Sequence, residues 1–159
     1  MKVQNLMTKN PKYCHSGDFL KVAAQIMWDC DIGSVPVVDQ AERVVGMLTD
    51  RDICMAAYTR DQRLSEITVD QAMSREVFSC RPDEHIETAE RLMQNEQIRR
   101  LPVTDHHQRL IGVVSLNDIV REAARQRHQR LPQVAEGEVV ATMAAIGEPR
   151  STSVGAAHL

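Results

Sequence analysis

Slid over itself by 66 residues, the sequence aligns positions 3–58 with 69–124 without a gap, and fourteen of the 56 pairs are identical. The matches include Met7/Met73, Cys14/Cys80, Pro36/Pro102, Asp39/Asp105, Arg43/Arg109, Gly46/Gly112 and Asp52/Asp118. Shared composition does not place Pro, Gly and Asp at fixed offsets, so the chain is a duplication, and a repeat of this period is one supersecondary unit used twice. A unit of about 60 residues covers its own apolar sheet face poorly, which favours packing the two copies together.

Each copy reads alike. A lead-in (VQNLMT, then VDQAMS) has apolar residues spaced for one helical turn. A short extended piece follows, at Lys12 to Cys14 and at Val77 to Cys80. Next come amphipathic helices over about 18–31 and 84–97. The first carries Val22, Ala23, Ile26, Met27 and Cys30 on its expected apolar stripe, and the second Ile86, Ala89, Leu92 and Met93. Ser16 and Asp83 are candidate caps. Two short apolar runs joined by a five-residue polar turn (DQAER, DHHQR) read as a β-hairpin, and a second helix is expected from about Asp50 and Leu116. The fold class is α+β: two tandem β-α-β-β-α repeats packed as a pseudo-twofold pair, over 1–60 and 61–125. A tail follows over 126–159. Within it GEVVATMAAIGEP is expected to form a short helix, with Val139, Val140, Met143, Ala144 and Ile146 as its apolar residues. The last ten residues read as disordered.

Composition narrows the function classes. Aromatic residues make up 3% of the chain and the formal net charge is −3. Both argue against gripping nucleic acid, which needs stacking platforms and a basic face. The basic run QRHQR around His128 is read as a solvated helix end. No stretch approaches the roughly 20 apolar residues of a membrane span, and the N-terminus lacks a secretion-signal pattern, so a cytoplasmic location is expected. Cys14, Cys30, Cys54 and Cys80 form no CxxC pair and are read as small apolar core residues. Adjacent His106 and His107 in the hairpin turn point different ways in such a segment, and no metal site is assigned to them. No nucleophile-base motif, metalloprotease motif or phosphate-binding glycine loop is present, so no catalytic residue is assigned.

The order MT, helix, SVPVVD, GMLTDRDI, then MS, helix, RRLPVTD, GVVSLNDI resembles two consecutive CBS domains, the pair called a Bateman module, over residues 1–125. The resemblance implies a regulatory module with a ligand cleft between the repeats, commonly for AMP, ADP, ATP or a related adenosyl compound, with NAD or S-adenosylmethionine less expected. It implies no required cofactor, a homodimer through the helices, and an effector protein outside this chain. The alternative is a ligand-free dimerisation or protein-interaction module. In such pairs the Gly-x-x-Thr/Ser-x-x-Asp segment faces the ribose, here Gly46 to Asp52 and Gly112 to Asp118. A carboxylate accepts two hydrogen bonds and so can take both ribose hydroxyls, and a helix start favours phosphate.

The resemblance implies two sites that are not equivalent. One combines Thr49, Arg51 and Asp52 with Val77, Phe78, Arg99 and Arg100, where Arg can hold phosphate through paired hydrogen bonds. The other combines Ser115, Asn117 and Asp118 with Lys12, Tyr13, Gly33, Ser34 and Val35 and lacks the paired arginines. The first is expected to be the better nucleotide site. Left without a phosphate role, the arginines would be solvated or paired with Asp105 or Glu96.

Overall fold

The computed structural model describes residues 1–129 and 131–149, so the expected disorder of the last ten residues lies outside the described residues. The first half runs β1 (Thr8–Lys9), β2 (Cys14–His15), α1 (Leu20–Cys30), β3 (Ser34–Val38), β4 (Val44–Thr49) and α2 (Asp50–Arg60). The second runs α3 (Ile86–Glu96), β5 (Arg100–Thr104), β6 (Leu110–Ser115) and α4 (Leu116–Gln126), and the tail adds α5 (Glu136–Gly147). Both hairpin turns fall where the polar segments predicted them. The extended piece of the second repeat is shorter than expected, reduced to one parallel bridge from Cys80 to Val103.

The repeats exchange their lead-ins. β1 pairs antiparallel with β6, giving a β1-β6-β5 sheet beside a β2-β3-β4 sheet. Reciprocally, Ser74 and Met47 exchange two backbone hydrogen bonds at 2.9 and 3.0 Å. Val3 is buried in the core of the second repeat, and Ile67, Val69 and Met73 in that of the first. Each repeat therefore completes its core with chain from the other, and neither buries its sheet alone.

This exchange explains the duplicated Met and Gly. A methyl group on Gly46 would sit 2.6 Å from Met73 Sδ and 2.9 Å from the Ser74 carbonyl oxygen. On Gly112 it would sit 2.6 Å from Met7 Sδ and 3.1 Å from the Thr8 carbonyl oxygen. The crossing lead-in leaves no room for a side chain at either place.

It also caps the two helices, the role expected of Ser16 and Asp83. The residues before the two helices are Phe19 and His85, and neither caps with its side chain. Instead the first free N–H groups of α1, on Leu20 and Lys21, donate to the carbonyls of Ile67 and Leu64, and that of Ile86 donates to Met1. Carbonyls of the chain just ahead of each lead-in thus fill the role of capping side chains.

Other expectations shift by a fraction of a turn. On α1 the buried stripe is Leu20, Ala23 and Met27, while Val22 and Cys30 are exposed and Ile26 is half-buried. Cys14 and Cys80 are core residues, whereas Cys30 and Cys54 are exposed, correcting their assignment to the core. Burial pushes the thiols of Cys14 and Cys80 up to about 12. On α5 the buried residues are Val139 and Thr142, with Val140 and Met143 turned outward.

The identical Asp and Arg of the turns also have a structural task. Asp39 Oδ1 accepts from the N–H groups of Ala41 and Arg43, both at 2.9 Å, and Oδ2 accepts from Arg43 Nε at 2.8 Å. Asp105 Oδ1 accepts from the N–H groups of His107 and Arg109 in the same way. The N–H of Arg43 is the main cause holding the Asp39 carboxyl below its ordinary value, and that of Arg109 does so for Asp105. So fixed, the two turns bond to each other, Val44 N–H to Gln108 O and Leu110 N–H to Glu42 O, both at 3.0 Å. The hairpins thereby lock the repeats across their pseudo-twofold relation.

Candidate functional site

The two Gly-x-x-Thr/Ser-x-x-Asp segments each turn from strand into helix, β4 into α2 and β6 into α4. Thr49 is extended at φ −111°, and its Oγ1 accepts from Asp52 N–H while Asp52 Oδ2 accepts from Thr49 N–H at 2.8 Å and from Thr49 Oγ1 at 2.7 Å. Ser115 and Asp118 repeat the arrangement, at 2.9 Å from the Ser115 N–H and 2.6 Å from Oγ. Both are capping boxes. The Asp that the resemblance assigns to ribose therefore already spends one oxygen closing its own helix.

The second oxygen distinguishes the repeats. Arg121, one turn along α4, donates to Asp118 Oδ1. The equivalent position in α2 is Met55, and Asp52 Oδ1 has no partner among the described residues. Asp52 offers a free carboxylate oxygen at a helix start. Asp118 does not, unless Arg121 moves.

The arginines expected before Pro102 lie at the opening of β5. Arg99 is exposed and makes no ion pair among the described residues, and its carbonyl accepts from Leu116 N–H at 2.9 Å. Arg100 Nη1 donates to Ser34 Oγ of the other repeat at 3.2 Å. Ser34 faces Thr49 in the β3–β4 register, and Arg100 faces Ser115 in the β5–β6 register. The Arg100–Ser34 contact therefore links the two helix starts across the repeat boundary. Neither arginine pairs with Asp105 or Glu96, and neither joins an ion pair among the described residues. A methyl group on Gly33 would lie 3.0 Å from Asp50 Oδ2 and 3.6 Å from Arg100 Nη1, so Gly33 keeps this junction open.

The remaining candidates are more spread. Arg51 and Asn117 are exposed in the first turns of α2 and α4, and Lys12 is exposed ahead of β2. Val77 is half-buried, and Phe78 packs against the core of the second repeat. Val35 is buried completely, so its contribution to a cleft is its backbone. Asp52 also borders a shallow hollow of about 220 Å³ with Met55, Thr59, Arg60 and Gln71. That hollow runs along the flank of α2 and includes none of the arginines at the junction. Among the described residues no group of His, Cys, Asp and Glu side chains is placed to hold a metal ion. His106 instead meets Arg81 through Nδ1.

Paired capping boxes, exchanged lead-ins and a two-sheet pseudo-twofold core define a class of two-repeat module. The chain matches the CBS domain family over residues 3–58 and 65–125 and belongs to it. It is 33% identical over 142 residues to Uncharacterized protein YlbB of Bacillus subtilis, covering 86% of this chain and 93% of that protein. Its fold superposes on the CBS domain pair of protein MJ0100 in complex with 5-methylthioadenosine and S-adenosyl-L-methionine, with a TM-score of 0.69 at 29% identity. That match covers 76% of this chain and 98% of the other. CBSX2 in complex with AMP gives a TM-score of 0.70 at 25% identity, covering 80% and 98%.

Proposed function

We propose that the chain is a regulatory module that binds an adenosine nucleotide at the Thr49–Asp52 helix start, between its repeats, and acts without catalysis. The observation that carries this reading is the free Oδ1 of Asp52 in the first turn of α2, whose cap Thr49 pairs with Ser34, the residue that Arg100 reaches from the other repeat. A ribose diol would donate to Asp52, and the phosphate would meet the α2 start with Arg99 and Arg100. AMP, ADP or ATP fits this charge better than NAD or S-adenosylmethionine. The bound adenosyl compounds of MJ0100 and CBSX2 support the ligand class. Binding would favour one arrangement of the repeats, and an effector would read it in the cytoplasm.

The test is thermal stability with AMP, ADP, ATP, NAD, S-adenosylmethionine and adenosine. A ligand at about 100 times its Kd adds roughly 2.7 kcal/mol, a shift of several degrees for a chain this size. Arg99→Ala and Arg100→Ala should shrink the shift with AMP and leave that with adenosine unchanged. Equal shifts in both variants and the natural chain would remove the phosphate role.

A second reading, dimerisation, has its own observation. Trp28 is 85% and Tyr58 80% exposed on α1 and α2, with Val22 and Met55 also open. Large exposed aromatics mark interaction surfaces. A homodimer through this face predicts that Trp28→Ala with Tyr58→Ala yields a monomer by light scattering. A dimer that persists in the double variant would exclude this face.

A further inference from the structure

Helix α5 covers the second repeat at the place where the first repeat is open. It lies on α3 and α4, held by Gln94 Nε2 donating to Thr142 Oγ1 at 2.7 Å and Gln97 Nε2 donating to the carbonyls of Ala145 and Glu148 at 3.2 and 3.0 Å. The position of Gln94 in the duplication is Trp28 in the first repeat, which offers no such amide. The docking is thus specific to one copy.

Beneath this helix lies a group that the duplication did not foreshadow. Glu90 occupies the position of Ala24, is 2% exposed, and its Oε1 has no hydrogen-bond partner. It borders a groove of about 320 Å³ between α3 and α5, with Glu87, Arg91 and Gln94 from α3 and Glu138 and Ala141 from α5. Glu87 and Glu138 bring negative charge toward it. Arg91 lines the groove without forming an ion pair among the described residues. Glu87 itself lies 4.0 Å from His85 Nδ1, ahead of α3, while Glu122 of α4 is engaged by Arg125 and Gln126, and Glu136 of α5 by Arg127 at 3.5 Å. A buried carboxyl facing two carboxylates, with no cation paired to it, is tolerated only while it is neutral.

We propose that α5 is a proton-controlled cover: it lies on α3 and α4 while Glu90 is protonated, and ionisation of Glu90 releases it to expose that helix face. Burial, chiefly, and then the charges of Glu138 and Glu87 push the Glu90 carboxyl up to about 7. Released and hydrated, the same group returns to the ordinary value of 4.5. The covered state therefore holds its proton to higher pH than the open one. Its advantage is complete below about 4.5, declines as pH rises, and is lost once pH passes about 7. The neutral side of this switch lies within physiological pH, so modest acidification closes the cover.

Hydrogen exchange of the α5 amides in the full chain tests this, with rates corrected for the intrinsic effect of pH. Between pH 5 and 8 the protection of α5 should fall by on the order of a hundredfold, while that of β3 and β5 stays constant. Glu90→Gln should keep α5 protected at both pH values. Glu138→Gln, which removes the facing charge, should reduce the loss. Equal protection of α5 at pH 5 and 8 would overturn the proposal, as would a Glu90→Gln chain with the natural pH dependence.

Discussion

Gly46 and Gly112 carry more of this architecture than their size suggests. Each sits where the other repeat's lead-in crosses, with a methionine sulfur 2.6 Å from where a methyl group would go. Overpacking of this kind costs about 1–3 kcal/mol. Gly46→Ala should be the worse of the two, since it also meets the rigid Ser74 carbonyl at 2.9 Å, against 3.1 Å for the Thr8 carbonyl at Gly112. Urea denaturation of both variants checks the order, and unchanged midpoints would mean that the crossing can open. The sequence marked these glycines as repeated but could not say why, because the sulfur and carbonyl they meet belong to the opposite copy. Glu90 was illegible for a related reason: in the duplication it replaces Ala24, and only the packed α5 turns an ordinary helix-surface glutamate into a buried one.

Among the elements, the hairpins were the most legible, since a polar turn between two apolar runs is a local signal. Residues 39–43 and 105–109 form the turns as read, and α2 and α4 start at Asp50 and Leu116. The starts of α1 and α3 were not legible. Their free N–H groups are satisfied by the carbonyls of Ile67, Leu64 and Met1, distant in sequence, so Ser16 and Asp83 have the residue type of caps without acting as such. The α1 stripe was misplaced because Val22 and Cys30 share its apolar period yet lie on the open face. The capping boxes at α2 and α4 are local again, and each hydroxyl should contribute similarly. Thr49→Ala and Ser115→Ala should each cost about 1 kcal/mol in thermal or chemical unfolding. A loss in only one of them would show that the two helix starts are unequal before any ligand binds.

At the scale of the whole molecule, the duplication fixed the pseudo-twofold fold and the positions of both helix starts, but not how the two sites differ. The expected difference rested on the arginines before Pro102. The structure adds another, the occupied Oδ1 of Asp118 against the free Oδ1 of Asp52. It also moves Arg100 onto Ser34 of the opposite repeat, so a residue of each expected site meets one of the other. Among the described residues two departures from symmetry stand out: an open helix-start carboxylate in the first repeat, and a helix face covered by α5 in the second. They lie in different repeats.

Calorimetric titration of AMP into the natural chain, Asp52→Ala and Asp118→Ala tests whether the nucleotide sits at the first helix start. Each substitution removes the same capping contact, so Asp118→Ala controls for the lost cap. Asp118→Ala should bind AMP like the natural chain, and Asp52→Ala should not bind it. Binding that survives Asp52→Ala and disappears in Asp118→Ala would contradict it.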